Sequence, residues 1–365
     1  MERLRRQTPP SAGVPPTRSY HREITWEANR GEKAGPVLLF GAMALIEERP
    51  NRRAPRIATL TLNPAVDVSY DVRTLEPDHK SHALATRFDP GGNGINVARG
   101  LQALGIAAHS CCLIGGRVGL LLKDLLGQEL HHSHWVQVRG ETRINATILQ
   151  QDPKAQFEVT GPGPIVGTDQ LDAISGLFLH LAGTGFAVIT GSTPPGVAPG
   201  YYSELARRAA DQGARVVADL NGPQLAEVID QKPYLVKPNL FELEQHCGRK
   251  LPTIAGAVGQ ARRLNDAGVT NVCVSLGASG AILTGPEGAF YATAPRTEVR
   301  CTVGAGDSMV AGLVCALAAG RGPQEALRLG VACGTGTAAR PGTAIFYWPQ
   351  VEALMPQVEI SKLEI

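Results

Sequence analysis

From Arg56 onward, short β-rich runs alternate with segments of helical periodicity, and this alternation limits the fold more than any other feature of the chain. The β-rich runs are 57–62, 187–190, 215–218, 234–236 and 271–275. The helical segments are 96–104, 169–181, 201–212 and 255–267. Strand, helix, strand in succession predicts crossover units and an α/β fold with a mostly parallel sheet. Only 5% of the residues are aromatic while 43% are hydrophobic, so the core rests on Ala, Val, Leu and Ile, as in strands covered on both faces by helices. Two stretches break the rhythm: 66–70 with 83–88, and 135–138 with 144–150 and 157–159. With no helix between their runs, they predict small antiparallel insertions that project from the main sheet as a lid. The expected organisation is an extension over 1–55, without order of its own, and one domain over 56–365 whose lid arises near 66–90 and 135–160. A strand is expected over 297–301.

Composition excludes several classes. The 42 glycines among 365 residues follow no three-residue period, which excludes collagen. The net charge of +2 comes from residues 1–55, which carry ten Lys and Arg against six Asp and Glu. The remainder is slightly acidic, so nucleic acid is not an expected partner. The longest apolar runs, 36–46 and 309–319, are shorter than the roughly 18–20 residues that span a bilayer, so no membrane partner is expected. Seven cysteines without C-x-x-C spacing read as reduced thiols of a cytoplasmic protein.

Four segments carry residues suited to chemistry. Thr302-Val303-Gly304-Ala305-Gly306-Asp307 opens an apolar helix. Free N–H groups at such a start favour an anion. Asp307 beside them reads either as a base for an attacking hydroxyl or as an ordinary helix cap. The segment has neither the third glycine of a dinucleotide fingerprint nor the P-loop spacing. Asp89-Pro90-Gly91-Gly92-Asn93-Gly94-Ile95-Asn96 also precedes a helix, and its Asn93 and Asn96 amides suit hydroxyls; the plainer reading is a turn with Asn96 near the cap. In Lys237-Pro238-Asn239-Leu240-Phe241-Glu242, Asn239 and Glu242 share a helix face. They read as a site for hydrated Mg²⁺ or as a capping arrangement. Gly191-Ser192-Thr193-Pro194-Pro195-Gly196 follows a strand's carboxyl end, where open α/β sheets bind ligands. Gly277-Ala278-Ser279-Gly280 reads as a turn between two strands, and His131-His132-Ser133-His134 as a solvated helix end rather than a metal site.

In their order along the chain, Thr61-Leu62-Asn63-Pro64-Ala65-Val66-Asp67, the Gly-Gly-Asn-Gly-Ile-Asn segment, Lys-Pro-Asn-x-x-Glu and Gly-Ala-Gly-Asp resemble the ribokinase superfamily and, within it, the pfkB branch of phosphosugar kinases. The resemblance runs from about Arg56 to about Phe346. It implies a three-layer αβα sandwich with a small β-sheet lid, an ATP- and Mg²⁺-dependent kinase, and a homodimer formed through the lid. It implies that Asp307 is the general base and that the N–H groups of Gly304, Ala305 and Gly306 form the anion hole. Asn239 and Glu242 match the Mg²⁺-positioning pair. Lys237, Ser275, Gly277 and Gly280 match nucleotide-binding positions. Asp67, Gly92, Asn93, Asn96 and Ser192 match sugar contacts, and Lys80 and Arg143 match positions that reach the substrate's phosphate.

The substrate expected from the resemblance is fructose 6-phosphate, phosphorylated to fructose 1,6-bisphosphate in carbohydrate metabolism. Lys80 and the Asp89–Asn96 segment resemble minor 6-phosphofructokinases. Thr142-Arg143-Ile144-Asn145 and Gly248-Arg249-Lys250-Leu251-Pro252 resemble 1-phosphofructokinases, which usually carry Lys where this chain has Asn93. Fructose 1-phosphate and tagatose 6-phosphate are therefore alternatives. His82 stands where the minor enzymes usually have Arg. Arg340 and Ala344 depart from residues that often surround a monovalent cation in relatives, which leaves potassium as an open cofactor. Two rival readings are a kinase of an unphosphorylated alcohol, against which Lys80 and Arg143 speak, and a non-catalytic sugar-phosphate-binding regulator, against which Asp307 speaks.

Overall fold

A computed structural model describes residues 55–364. The expected extension over 1–55 lies, but for Pro55, outside the described residues. Ten strands form one sheet in the order β14-β13-β12-β11-β10-β9-β8-β1-β4-β5. Seven of them are parallel: β11 (Asn271–Ser275), β10 (Leu235–Val236), β9 (Arg215–Asp219), β8 (Phe186–Thr190), β1 (Ile57–Thr61), β4 (His109–Gly115) and β5 (Ser133–Val138). An antiparallel extension of β12 (Ala281–Gly285), β13 (Gly288–Ala292) and β14 (Ile360–Leu363) continues the β11 edge.

Alternation along the strands divides the core. Ala58, Leu60, Ala187 and Ile189 point to one face, where Phe178, Tyr202, Leu225 and Val258 of four helices cover them. Ile57, Phe186 and Val188 point to the other face, beneath Leu101, Val310 and Leu313. Helices on both faces of a largely parallel sheet give the expected three layers.

A second sheet has the order β3-β2-β6-β7, from β3 (Ala83–Gly91), β2 (Ala65–Val72), β6 (Arg143–Gln150) and β7 (Ala155–Thr160). The expectation of antiparallel insertions is corrected in one respect: β2 and β6 run parallel. The expectation that residues 135–138 join this sheet is also corrected. They lie in β5, which pairs parallel with β4 at the edge of the large sheet. A helix, Gly116–Glu129, connects β4 to β5, so this stretch is one more crossover unit. No strand forms over 297–301, where the chain is irregular.

Register gives the small sheet two unlike faces. Val68 pairs with Phe88, Val66 with Ile144, Ala146 with Val159, and Ile148 with Phe157, so these side chains share one apolar face. Part of it packs near the helix Gly116–Glu129, while Phe88, Ile144, Phe157 and Val159 stay 45–63% exposed. Asp67, Asp89 and Asn145 lie on the opposite, polar face.

Candidate active site

The candidate residues converge at the carboxyl ends of the parallel strands, around β1, whose neighbours β8 and β4 carry the chain in opposite directions across the sheet. This is the switch point at which such sheets leave a crevice.

Gly304 caps the helix Ala305–Ala318 in the left-handed region, with φ 78°, and its carbonyl accepts the Ser308 N–H at 2.9 Å. A residue with a Cβ is strained in that conformation. The helix is seated by small residues. A Cβ on Gly312 would come within 2.8 Å of Gly330 backbone, and one on Gly100 within 2.7 Å of Ala311. Asp307 is 4% exposed in the first turn. It does not cap the helix. Instead Asn93 Nδ2 donates to its Oδ1 and Asn96 Nδ2 to its Oδ2, each at 2.9 Å. Burial, helped by the charge of Asp219, pushes the Asp307 carboxyl up to about 6, while Asn96, Asn93 and Lys237 oppose the shift. A carboxylate held at that value accepts a proton near neutral pH.

Lys237 follows the short strand β10 and is buried. Its Nζ lies 3.1 Å from Asp219 Oδ1 and 3.3 Å from where a Cβ on Gly306 would stand. Burial, the largest single influence, lowers a lysine, but the Asp219 charge, its hydrogen bond and the charge of Glu242 together outweigh it and keep Lys237 an ammonium. A fixed positive charge therefore lies beside Gly306 at the helix start, where the Ala305 N–H donates to the Thr302 carbonyl at 3.3 Å. Asp219 was missed in the sequence, although its place at the end of β9 is where ligands meet such sheets.

Asn239 and Glu242 form a reciprocal capping box. Asn239 Oδ1 accepts the Glu242 N–H and Glu242 Oε2 accepts the Asn239 N–H, both at 2.8 Å. The capping reading is thus what the two side chains do. The box leaves Glu242 Oε1 unused, close enough to Lys237 and Asp219 to feel their charges. A hard carboxylate oxygen on a half-buried side chain fits a hydrated Mg²⁺, so Glu242 would hold the ion and Asn239 would fix Glu242.

A cavity of about 550 Å³ opens from this point, lined by Ser275, Gly277 and Gly280 on one side and by Ala305 and Gly306 on the other. Its size suits a nucleotide. Ser275 bridges to Asn239, which ties the cavity to the capping box. The sequence reading missed much of the apolar wall, including Val299, Val331 and Ala338.

On the other side of Asp307 the small sheet presents its polar face. Asp67 accepts from Asn145 Nδ2 at 2.8 Å, and burial pushes its carboxyl up to about 6. Arg143 Nε donates to the Asn63 carbonyl at 3.1 Å and Nη1 to the Gly161 carbonyl at 3.1 Å. Asn63 Nδ2 reaches Ser192 Oγ at 3.4 Å. Ser192 adjoins Gly191, whose Cβ position lies 2.9 Å from Asn93 Oδ1, and Asn93 leads back to Asp307. Asn63 Oδ1, packed against Gly163, and Asn145 Oδ1 are buried without a hydrogen-bond partner. Gly92, with φ 119°, serves the backbone: it caps the helix Asn93–Ala103, and a Cβ there would stand 2.6 Å from the Thr61 methyl. Lys80 is not brought into this group. It is exposed on the loop between β2 and β3 and makes no hydrogen bond or ion pair with these residues.

The surroundings of Arg340 and Ala344 do not fit a monovalent cation. The Arg340 guanidinium lies 5.2 Å from the centre of the Tyr347 ring, its Nε is buried without a partner, and Ala344 offers no side-chain oxygen. His131 and His132 follow the end of the helix Gly116–Glu129, and Ser133 and His134 lie in β5, with His134 Nε2 3.1 Å from His109 Nδ1, so the expected helix end gives way to a strand. No group of three metal-ligating side chains occurs among the described residues. No helix among them is long and apolar enough to cross a membrane.

Comparison with known proteins agrees with this geometry. The family model of pfkB carbohydrate kinases matches residues 60–350. The 1-phosphofructokinase of Bacillus subtilis (strain 168) is 33% identical over 309 residues, covering 84% of this chain and 100% of that protein. The ATP-dependent 6-phosphofructokinase isozyme 2 of Mycobacterium tuberculosis is 35% identical over 293 residues, covering 80% of this chain and 86% of that protein. A crystal structure of phosphofructokinase-2 from Escherichia coli in complex with potassium superposes with a TM-score of 0.79 at 31% identity. It covers 83% of this chain and 99% of that one.

Proposed function

The chain belongs to the pfkB family of carbohydrate kinases, and we propose that it transfers the γ-phosphoryl group of ATP to O1 of fructose 6-phosphate. The observation that carries this reading is the position of Asp307. It stands in the first turn of the helix whose Ala305 and Gly306 line the nucleotide-sized cavity, and it is held by Asn93, which lies against Gly191 beside Ser192. ATP enters the cavity with its γ-phosphoryl at the Gly304–Gly306 amides. The sugar lies on the polar face of the small sheet, held by Asp67, Asn63, Asn145 and Ser192, with its phosphate on Arg143. Asp307 accepts the O1 proton as that oxygen bonds to phosphorus and the bond to the β-phosphate oxygen breaks. Lys237 and the amides offset charge on the transferring group, the main catalytic contribution in such transfers. Glu242 would hold Mg²⁺, which would offset the charge of the phosphates.

Fructose 1-phosphate is the second reading, favoured by the 1-phosphofructokinase relative and by Thr142–Asn145. The exposed apolar strip of Phe88, Ile144, Phe157 and Val159 supports a homodimer closed sheet against sheet. The seven cysteines, all free, support a cytoplasmic setting. A coupled ADP-release assay with fructose 6-phosphate, fructose 1-phosphate and tagatose 6-phosphate tests the function. The greatest kcat/KM is expected on fructose 6-phosphate; release with none of the three overturns the kinase assignment on phosphosugars.

A further inference from the structure

Asn93 stands apart from the other residues expected to touch the sugar. It begins the helix Asn93–Ala103, its side chain is exposed toward the crevice, and its Nδ2 is spent on Asp307 Oδ1 at 2.9 Å. Asn96, one turn on and buried, holds the other oxygen, Oδ2, at the same distance. The Asn96 amide is itself oriented, because Arg99 Nη1 donates to its Oδ1 at 3.1 Å. The Asn93 amide has little room to turn, since its Oδ1 lies against Gly191. The two amides therefore grip the carboxylate from opposite sides, Asn96 from the core and Asn93 from the crevice.

We propose that Asn93 is a positioning residue that fixes the Asp307 carboxylate, and that it is not a sugar ligand. This rests on Asp307 being the general base. Each carboxylate oxygen accepts two hydrogen bonds. Asn93 takes one site on Oδ1 and leaves the other for the incoming hydroxyl, so the base meets O1 in one rotamer. Orientation of this kind is felt in turnover rather than in sugar affinity. It also acts on the charge of the base. Asp219 and Lys237 are the charged groups that face Asp307, with opposite effects, and Asn93 and Asn96 are the donors to its ionised form. Removing one donor disfavours that form and moves protonation to higher pH.

The test compares Asn93→Ala and Asn93→Lys with the unaltered enzyme, with Asp307→Asn as a control. Asn93 is exposed at a helix start and Ala is a good helix former, so the fold should survive. For Asn93→Ala, kcat should fall by about tenfold at pH 7 with the phosphosugar KM changed by less than about twofold. The acid limb of its kcat/KM profile should move up by about half a unit or more. Asn93→Lys, which restores a donor and adds a positive charge, should bring the limb back down. A raised KM with kcat and the acid limb unmoved would make Asn93 a sugar ligand and overturn the proposal; so would no change in any of the three. The control separates the two levels. If Asp307→Asn keeps its turnover, the base assignment itself has failed, whatever Asn93 does.

Discussion

The amide of Asn96 and the carboxylate of Asp307, 211 residues apart in sequence, meet in a 2.9 Å hydrogen bond that places one helix start against another at the head of the parallel sheet. Burial and the Asp219 charge raise the Asp307 carboxyl to about 6, and the amide partly restrains the rise. The base works ionised, so kcat/KM should fall as pH drops through about 6 and level off above it. In Asp219→Asn a negative neighbour is lost, the ionised base is favoured, and the limb should move to lower pH. A limb unmoved in that variant contradicts the electrostatics.

Arg143 donates to the Asn63 and Gly161 carbonyls through Nε and Nη1, which leaves Nη2 for the phosphate contact proposed above. Arg143→Ala should raise KM for the phosphosugar by about tenfold or more while KM for ATP changes by less than about twofold. Arg143→Lys should restore little, because an ammonium lacks the planar fork that makes paired contacts. Steady-state kinetics with each substrate varied in turn measure this. Equal effects on both would remove Arg143 from the phosphate's neighbourhood.

Phe157 and Val159 project from the apolar side of β7. Phe157→Glu combined with Val159→Lys should shift the sedimentation of the protein from dimer to monomer without unfolding it. If the unaltered protein sediments as a monomer at micromolar concentration, this face has another use.

Gly312 has no space for a side chain, with Gly330 backbone 2.8 Å from its Cβ position. Gly312→Val should cost about 1–3 kcal/mol by overpacking, read as a lower midpoint in chemical denaturation. An unchanged midpoint would mean that the two helices separate easily.

Much of this was legible in the sequence because the information is local. The Gly304–Asp307 turn, the Asn239–Glu242 pair and the 277–280 turn each fall within a few residues and are where they were expected. What escaped depends on distant pairing. Nothing near Asn93 in sequence reveals its hydrogen bond to Asp307, 214 residues away. Asp219 lies in no motif, and only the arrival of Lys237 beside it gives it a task. Residues 135–138 were assigned to the small sheet because the helix Gly116–Glu129 before them went unrecognised. Once that helix is seen, β4, helix and β5 form an ordinary parallel unit.

The central claim is that Asp307 takes the proton from the attacking sugar hydroxyl. Asp307→Asn keeps the side chain's size and removes its basicity. With fructose 6-phosphate and ATP as substrates, kcat should fall by at least about 100-fold, while both substrates still bind, as judged by calorimetry. A fall of less than about tenfold with binding intact would contradict the account.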